Sequence, residues 1–309
     1  MKKLFFILLQ IVIGTAALFA QTTTLQERLG YSKETKLLII HADDLGVAHS
    51  ENAASTTAME KGVVNSASIM VPCPWFPEIA AYARRRPAAD FGLHLTLTSE
   101  WKHLKWGPVS LRDKVPGLIN KNGFFYESVD SLYKTATVAE VEMELRAQIE
   151  RAKQFGIDPT HLDSHMGALF GRSDFLKVLI NLGREYKIPV MLGKFFFQAL
   201  GVNVDSVVNN RDVLLDMIYI ASPEDYKKGM KEYYTRVLKS VQPGVNCLIL
   251  HAAYDNDEMR AVTIDHPDYG SAWRQADFDF FTSEECRQLL KDQSIKLITW
   301  REIRDKLLR

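Results

Sequence analysis

Two adjacent carboxylates, Asp43 and Asp44, follow the apolar run Leu37-Leu38-Ile39-Ile40 in the string His41-Ala42-Asp43-Asp44-Leu45-Gly46. The run predicts a buried strand. Like charges at its end raise one another's proton affinity, and a partly buried carboxylate is costly unless something positive compensates it. A metal ion is the simplest compensation, with one aspartate as ligand and the other as base. The alternative is an Asp-Asp turn that ends the strand, with Gly46 supplying the bend. Four of the eight histidines favour the metal. His94 lies in Phe91-Gly92-Leu93-His94-Leu95-Thr96-Leu97-Thr98, His161 and His165 in Thr160-His161-Leu162-Asp163-Ser164-His165, and His251 ends Cys247-Leu248-Ile249-Leu250-His251. Each is in or just beyond an apolar, strand-like stretch.

The elements that must position these residues alternate. Strands are expected to His41, over 66–71, 91–97, 160–163, around 189–192, and over 246–251 and 296–299. Helices are expected over 51–61, after the Pro72 to Pro77 loop, from the Thr137-to-Glu140 capping box to Gly156, over 173–186, from Pro223 to about Val241, and after Thr282-Ser283-Glu284-Glu285. The stretch between Leu192 and Ser222 carries no clear signal. A long loop is expected from Asp255 to Phe281. The irregular stretch 99–134 holds Trp101, Trp106, Phe124, Phe125, Tyr126 and Tyr133, either as a satellite core or, for one or two, as a sugar-stacking platform. Alternating strands and helices predict a parallel sheet, and about seven units predict a closed or nearly closed barrel. Chemistry in such barrels gathers where strands end. Asp43, Asp44, His94, His161, His165 and His251 all fall there.

The 309 residues are 47% hydrophobic and 25% charged, enough for one barrel-sized core. Lys+Arg and Asp+Glu are both 38, so no basic excess argues for a nucleic-acid partner. Lys2 and Lys3 precede an apolar stretch from Leu4 to Phe19, and Ala20 offers a small residue before a polar segment. This is the pattern of a signal peptide over 1–20, leaving a single domain over 21–309, exported to the periplasm or secreted, without stable membrane association after cleavage. An uncleaved anchor is the rival reading, although the stretch is short for the roughly 17–25 residues of a span. The three cysteines, Cys73, Cys247 and Cys286, leave at least one free thiol within the chain, and Cys247 reads as core. Nothing indicates the oligomeric state.

Together these segments resemble the YdjC/ChbG family of carbohydrate deacetylases over nearly the whole mature chain. His41 to Gly46 matches its Asn-Ala-Asp-Asp-Phe-Gly opening, and Ser66 to Val71 its second-strand signature. Gly92 to Thr98 is similar to its Gly-x-His-x-x-Leu-Thr element, and Thr160 to His165 to its Thr-His-Leu-Asp-Ser-His string. Tyr269 to Ser283, with Arg274, Asp277 and Asp279, is similar to its late segment. The resemblance implies an α/β fold, a distorted TIM-type (β/α) barrel of NodB-like deacetylase architecture. It implies a divalent metal, magnesium or zinc, on Asp44, His94 and His165, with Asp43 as general base, and N-acetylated sugars such as chitin-derived oligosaccharides as substrates. Three departures stand out. His41 replaces Asn, Met166-Gly167-Ala168 replaces a His-x-His, and Leu250-His251-Ala252-Ala253 replaces a Cys-His-Pro.

Two imidazoles and one carboxylate leave coordination positions open, as a catalytic site requires. His251 is the candidate acid for the leaving amine, because a carboxylate neighbour would help it hold a proton near neutral pH. Arg274 is expected to orient Asp43 or hold its pKa down. Purely structural roles are the alternatives for both. His161 is read as a partner of Asp163 unless the segment is helical, when it could join the metal. His41 is read as support for the site, and His49, His103 and His266 as surface or loop residues. Asp255, Asp257 and Glu258 are read as a solvated loop, with calcium binding as the alternative. Two other functions remain open: a non-catalytic carbohydrate-binding relative, and a metal hydrolase of the same fold that cleaves another bond.

Overall fold

The computed structural model describes residues 23–199 and 201–309. The leader expected over 1–20 lies outside them. Nine strands are present: β1 Lys36–Leu45, β2 Ser66–Ile69, β3 Phe91–Leu95, β4 Leu162–Ser164, β5 Leu192–Gly193, β6 Leu214–Leu215, β7 Met217–Tyr219, β8 Gly244–Leu250 and β9 Ile295–Leu297, among the described residues. Every pairing between them is parallel. The main sheet runs β4-β3-β2-β1-β8-β7, and β9 pairs the start of β1 below β2.

The two edges of this sheet are joined by thin pairings. β7 continues from β6 across Asp216, and β6 pairs β5 over two residues. Just before β5, Val190 bridges to Leu162 of β4. The Leu162 N–H donates to the Pro189 carbonyl at 2.9 Å, and the Met191 N–H to the Leu162 carbonyl at 2.8 Å. The expected distorted barrel is therefore present, and its distortion is concentrated in the β5–β6 wall. The core strands β1 and β8 are apolar and buried along most of their length because helices cover them outside and side chains fill them inside.

Helix Val138–Gln154 illustrates how the outer layer serves the inner one. Its capping box on Thr137 and Glu140 forms as expected, and Val141, Leu145, Ile149 and Ala152 are buried. Two polar residues on the same buried face clamp the exit of β3. Gln148 accepts from the Thr96 N–H at 3.0 Å and donates to its carbonyl at 2.7 Å. Glu144 accepts from the Val109 and Ser110 N–H groups of the irregular stretch.

Several expectations are corrected. β1 does not stop at His41 but runs through both aspartates to Leu45. The segment expected as a loop to Phe281 holds two helices, Asp257–Val262 and Ser271–Thr282, and the second carries Arg274 and Asp277. Its start was hidden by Pro267, Gly270 and the lack of a side-chain cap. The helix expected from Pro223 divides into Pro223–Lys228 and Met230–Ser240 at Gly229, whose φ is +107°. Ser283 alone caps helix Glu284–Asp292. In the irregular stretch Trp101, Trp106 and Phe125 are buried, which agrees with the core reading for most of its aromatics, but they join the main core and not a satellite cluster. Glu258 is not solvated loop: it accepts from the backbone N–H groups of His49 and Ser50 and so caps helix His49–Lys61.

Candidate metal centre

A regular strand points consecutive side chains to opposite faces. Asp43 and Asp44 escape that rule through a bulge. Ala42 pairs Ala67 and Leu45 pairs Ile69, so the two aspartates face the single residue Ser68. Asp44 has φ +68°, and Gly46, at φ +104°, completes the turn. A Cβ on Gly46 would lie 2.9 Å from the Met70 carbonyl oxygen, which explains the glycine. The bulge aims both carboxylates at one barrel mouth.

Ordinary alternation supplies the other residues. His94 pairs Asp163 in register across β3 and β4. His161, Asp163 and His165 project from one side of β4 at successive depths. His165 opens a short turn past β4, and the segment is not helical before it. His161 therefore sits deeper than the metal candidates. Its ring stacks on Trp300 and its Nδ1 lies 3.0 Å from Thr160 Oγ1. Gly92 leaves it room, since a Cβ there would come within 2.4 Å of its Nε2.

Asp44, His94 and His165 converge with ligand atoms within 4.8 Å of one another. Asp44 Oδ1 is 3.4 Å from His94 Nε2 and 3.3 Å from His165 Nδ1. That oxygen is buried and has no hydrogen-bond partner among the described residues. A divalent ion about 2.0–2.2 Å from each atom at tetrahedral angles would space them roughly 3.3–3.5 Å apart. The orphaned oxygen and the spacing fit a cation held by these three side chains.

Each candidate ligand is fixed from behind. Asp163 Oδ1 lies 2.7 Å from His94 Nδ1, and Glu100 Oε2 lies 2.9 Å from His165 Nε2. Arg274 donates to Asp44 Oδ2 at 2.8 Å, to the Tyr269 carbonyl at 2.7 Å and to Glu51. This corrects the expectation that Arg274 serves Asp43: it holds Asp44, the candidate ligand, and not Asp43. Burial alone would raise the Asp44 carboxyl, but Arg274, with His165, holds it well below its ordinary value. For His165 burial is outweighed by Glu100 and Asp44, which push it up to about 10.

Asp43 is paired instead with His41, whose Nε2 lies 2.7 Å from its Oδ1, and Ser68 donates to the same oxygen at 2.9 Å. His251 faces the centre with its Nε2 3.9 Å from Asp44 Oδ2 and its ring edge-on to Tyr269, while its backbone N–H donates to Asp277 Oδ2. Burial pulls its imidazole down to about 4, more than Asp44 offsets. The expectation that a carboxylate keeps it protonated near neutrality is therefore corrected: Asp44 is already committed to Arg274. His49 is exposed beside Glu78, and His266 packs on Trp101.

A sequence model of the YdjC-like protein family matches residues 37–292, which include every residue of this centre. The chain belongs to that family. Carbohydrate deacetylases so named from Thermus thermophilus and Brevibacillus brevis are similar to this YdjC-like protein. The first is 31% identical and covers 92% of this chain and 99% of its own, and the second is 29% identical with 86% and 99%. A crystal structure from Enterococcus faecalis V583, described as a proposed cellobiose-phosphate cleavage protein, is 25% identical. It superposes with a TM-score of 0.72 over 87% of this chain and 99% of that one.

Glu51 and Glu100 were missed as parts of the YdjC-like centre. Neither stands in a motif with the ligands, and a carboxylate that meets its partner only in three dimensions leaves no spacing to read. The burial of Glu51 early in helix His49–Lys61 marks it, but that is visible only in the fold.

Proposed function

We propose that this protein is a metal-dependent hydrolase that removes acetyl groups from N-acetylated sugars. The observation that carries the reading is the orphaned Asp44 Oδ1 between two imidazole nitrogens, with the Asp43 carboxylate beside it. A divalent cation at Asp44, His94 and His165 would polarise an amide carbonyl and acidify a water molecule. Two imidazoles and one carboxylate suit zinc better than magnesium, which prefers oxygen.

The chain's own residues supply the rest. Asp43 takes the proton of the attacking water and can return it to the leaving amine. Arg274 and Glu51 hold Asp44, and Glu100 holds His165. His251 starts neutral, so as the acid it must gain a proton in the substrate complex; as a hydrogen-bonding group it can orient the amide from the start. Exposed apolar side chains follow β2, β4 and β5 in the chain: Trp75 at 40%, Met166 at 47% and, in helix Lys194–Ala199, Phe195 at 40%. They suit the apolar faces of sugar rings. Export, with cleavage after Ala20, belongs to the same reading.

The test is acetate release by the mature chain from N-acetylated mono- and oligosaccharides, with zinc and with magnesium. Release with at least one sugar is expected, together with its loss on chelation. Tight sugar binding with no acetate released under either metal would favour a binding protein.

A further inference from the structure

The reaction assigned to Asp43 leaves His41 without a part, yet His41 is among the most heavily bonded side chains in the barrel. It is fully buried. Its Nε2 lies 2.7 Å from Asp43 Oδ1, 3.0 Å from Asp163 Oδ2 and 3.2 Å from Ser68 Oγ. Its Nδ1 lies 2.9 Å from Ser66 Oγ.

The placement of protons around the ring settles its state. The Ser68 hydroxyl donates to Asp43 Oδ1, so toward His41 it offers only lone pairs. Two carboxylates offer lone pairs as well, and Nε2 must carry a proton. The Ser66 hydroxyl lies 2.9 Å from Asp90 Oδ1 and donates there, since two unprotonated oxygens at that distance repel. Ser66 can therefore only accept from His41, and Nδ1 must carry a proton too. A ring with two donors is an imidazolium. Asp43 and Asp163 outweigh the burial that opposes its charge, which agrees with the hydrogen-bond argument.

We infer that His41 is a permanent internal cation and a positioning residue for Asp43. With Ser68 it clamps Asp43 Oδ1, and no hydrogen bond from the described residues reaches Oδ2, which is the oxygen left to receive the proton. Through Asp163 Oδ2 the same nitrogen also steadies the carboxylate whose other oxygen orients His94. One ring thus sets the angle between base and ligand. This inference rests on Asp43 as base, but its charge state does not.

Two measurements test it. In the metal-free wild type, nitrogen NMR of labelled histidine, with the His41 signal identified by its loss in His41→Gln, should show both ring nitrogens protonated at pH 7–8. The ring is not among the three side chains proposed to hold the ion, although it stands with His161 and Asp163 in a second group of metal-compatible spacing. Zinc should leave that signature in place, and its loss on zinc addition would overturn the inference. The second measurement is made on His41→Gln, which keeps a donor toward Asp43 but not the charge. Its kcat should fall by about 10²-fold, the cost of a base displaced by an ångström or so, with KM within about twofold. Its zinc affinity should hold or rise, because a positive charge near the cation is gone. A neutral His41 in the wild type would overturn the inference, even if the variant failed to fold. So would wild-type kcat in the variant, or a loss of zinc affinity in step with kcat, which would mark a merely structural role. If the wild type released no acetate from any sugar, the functional reading would fail while the NMR result still decided the charge.

Discussion

Asp43 and Asp44 are neighbours in sequence with separate partners, and their substitutions should separate as well. Asp43→Asn is expected to lower acetate release by at least about 10²-fold, in the range of a lost general base, while bound zinc stays stoichiometric by elemental analysis. Undiminished turnover would remove Asp43 as base. Asp44→Asn should instead lose the metal. The histidines proposed as ligands add a pH dependence. Glu100 and Asp44 raise the His165 imidazole to about 10 in the metal-free protein, and His94 is also raised despite its burial, chiefly by Asp43 and Asp163. Each must give up its metal-facing proton to bind, so cation affinity should climb with pH. About one to two factors of ten per pH unit are expected between pH 6 and 9, one for each proton displaced. Competition with a chelator across that range measures the slope, and a flat profile would mean that the ligands are already unprotonated.

At the level of elements, the bulge in β1 and the glycine beside His161 carry the placement. Gly46→Ala puts a side chain at φ +104° against the Met70 carbonyl, and should cost about 1–2 kcal/mol from the backbone alone. Gly92→Ala drives a methyl into the His161 ring and should cost about 1–3 kcal/mol as overpacking. Chemical denaturation of the metal-free variants measures both, and wild-type stability for Gly92→Ala would mean that the ring can move aside freely. The elements that sequence reading placed best are those whose signals are local. Helix Ser173–Tyr186 agrees at both ends, and the Thr137 capping box forms. The last residues of β1 were unreadable as strand because their charges break the apolar run. The helix bearing Arg274 was unreadable because its entry is built from turn residues. Asp44, His94 and His165 were legible only within a larger group with Asp43, His161 and His251, since each of the six ends or follows an apolar strand; the family resemblance, not their spacing, singled out the three as candidate ligands. The partner of Asp43 was not, because nothing local distinguishes Arg274 from His41 as the nearer cation.

Across the whole molecule, wall strength is uneven. β1 pairs β8 over seven registered positions, whereas β5 and β6 pair over two, and one bridge joins β4 to Val190. Segments 190–193 and 214–215 should therefore exchange their amide hydrogens sooner than 37–42 and 245–250. Peptide-resolved exchange by mass spectrometry reads this directly, and equal protection would show that the barrel opens as one unit. The alternation of strands and helices announced the barrel, but two-residue strands carry too little pattern to announce where it is weak. N-terminal sequencing of exported material should begin at Gln21. The salt bridge from Arg274 to Asp44 spans 230 positions of the chain. A polypeptide still emerging from the ribosome, or threaded through a translocation pore, has no way to close that contact until nearly all of it is through. If the chain is exported as proposed, the ion would thus be acquired on arrival, so supply at the destination, more than the metal pool of the cytoplasm, would decide which one the enzyme carries.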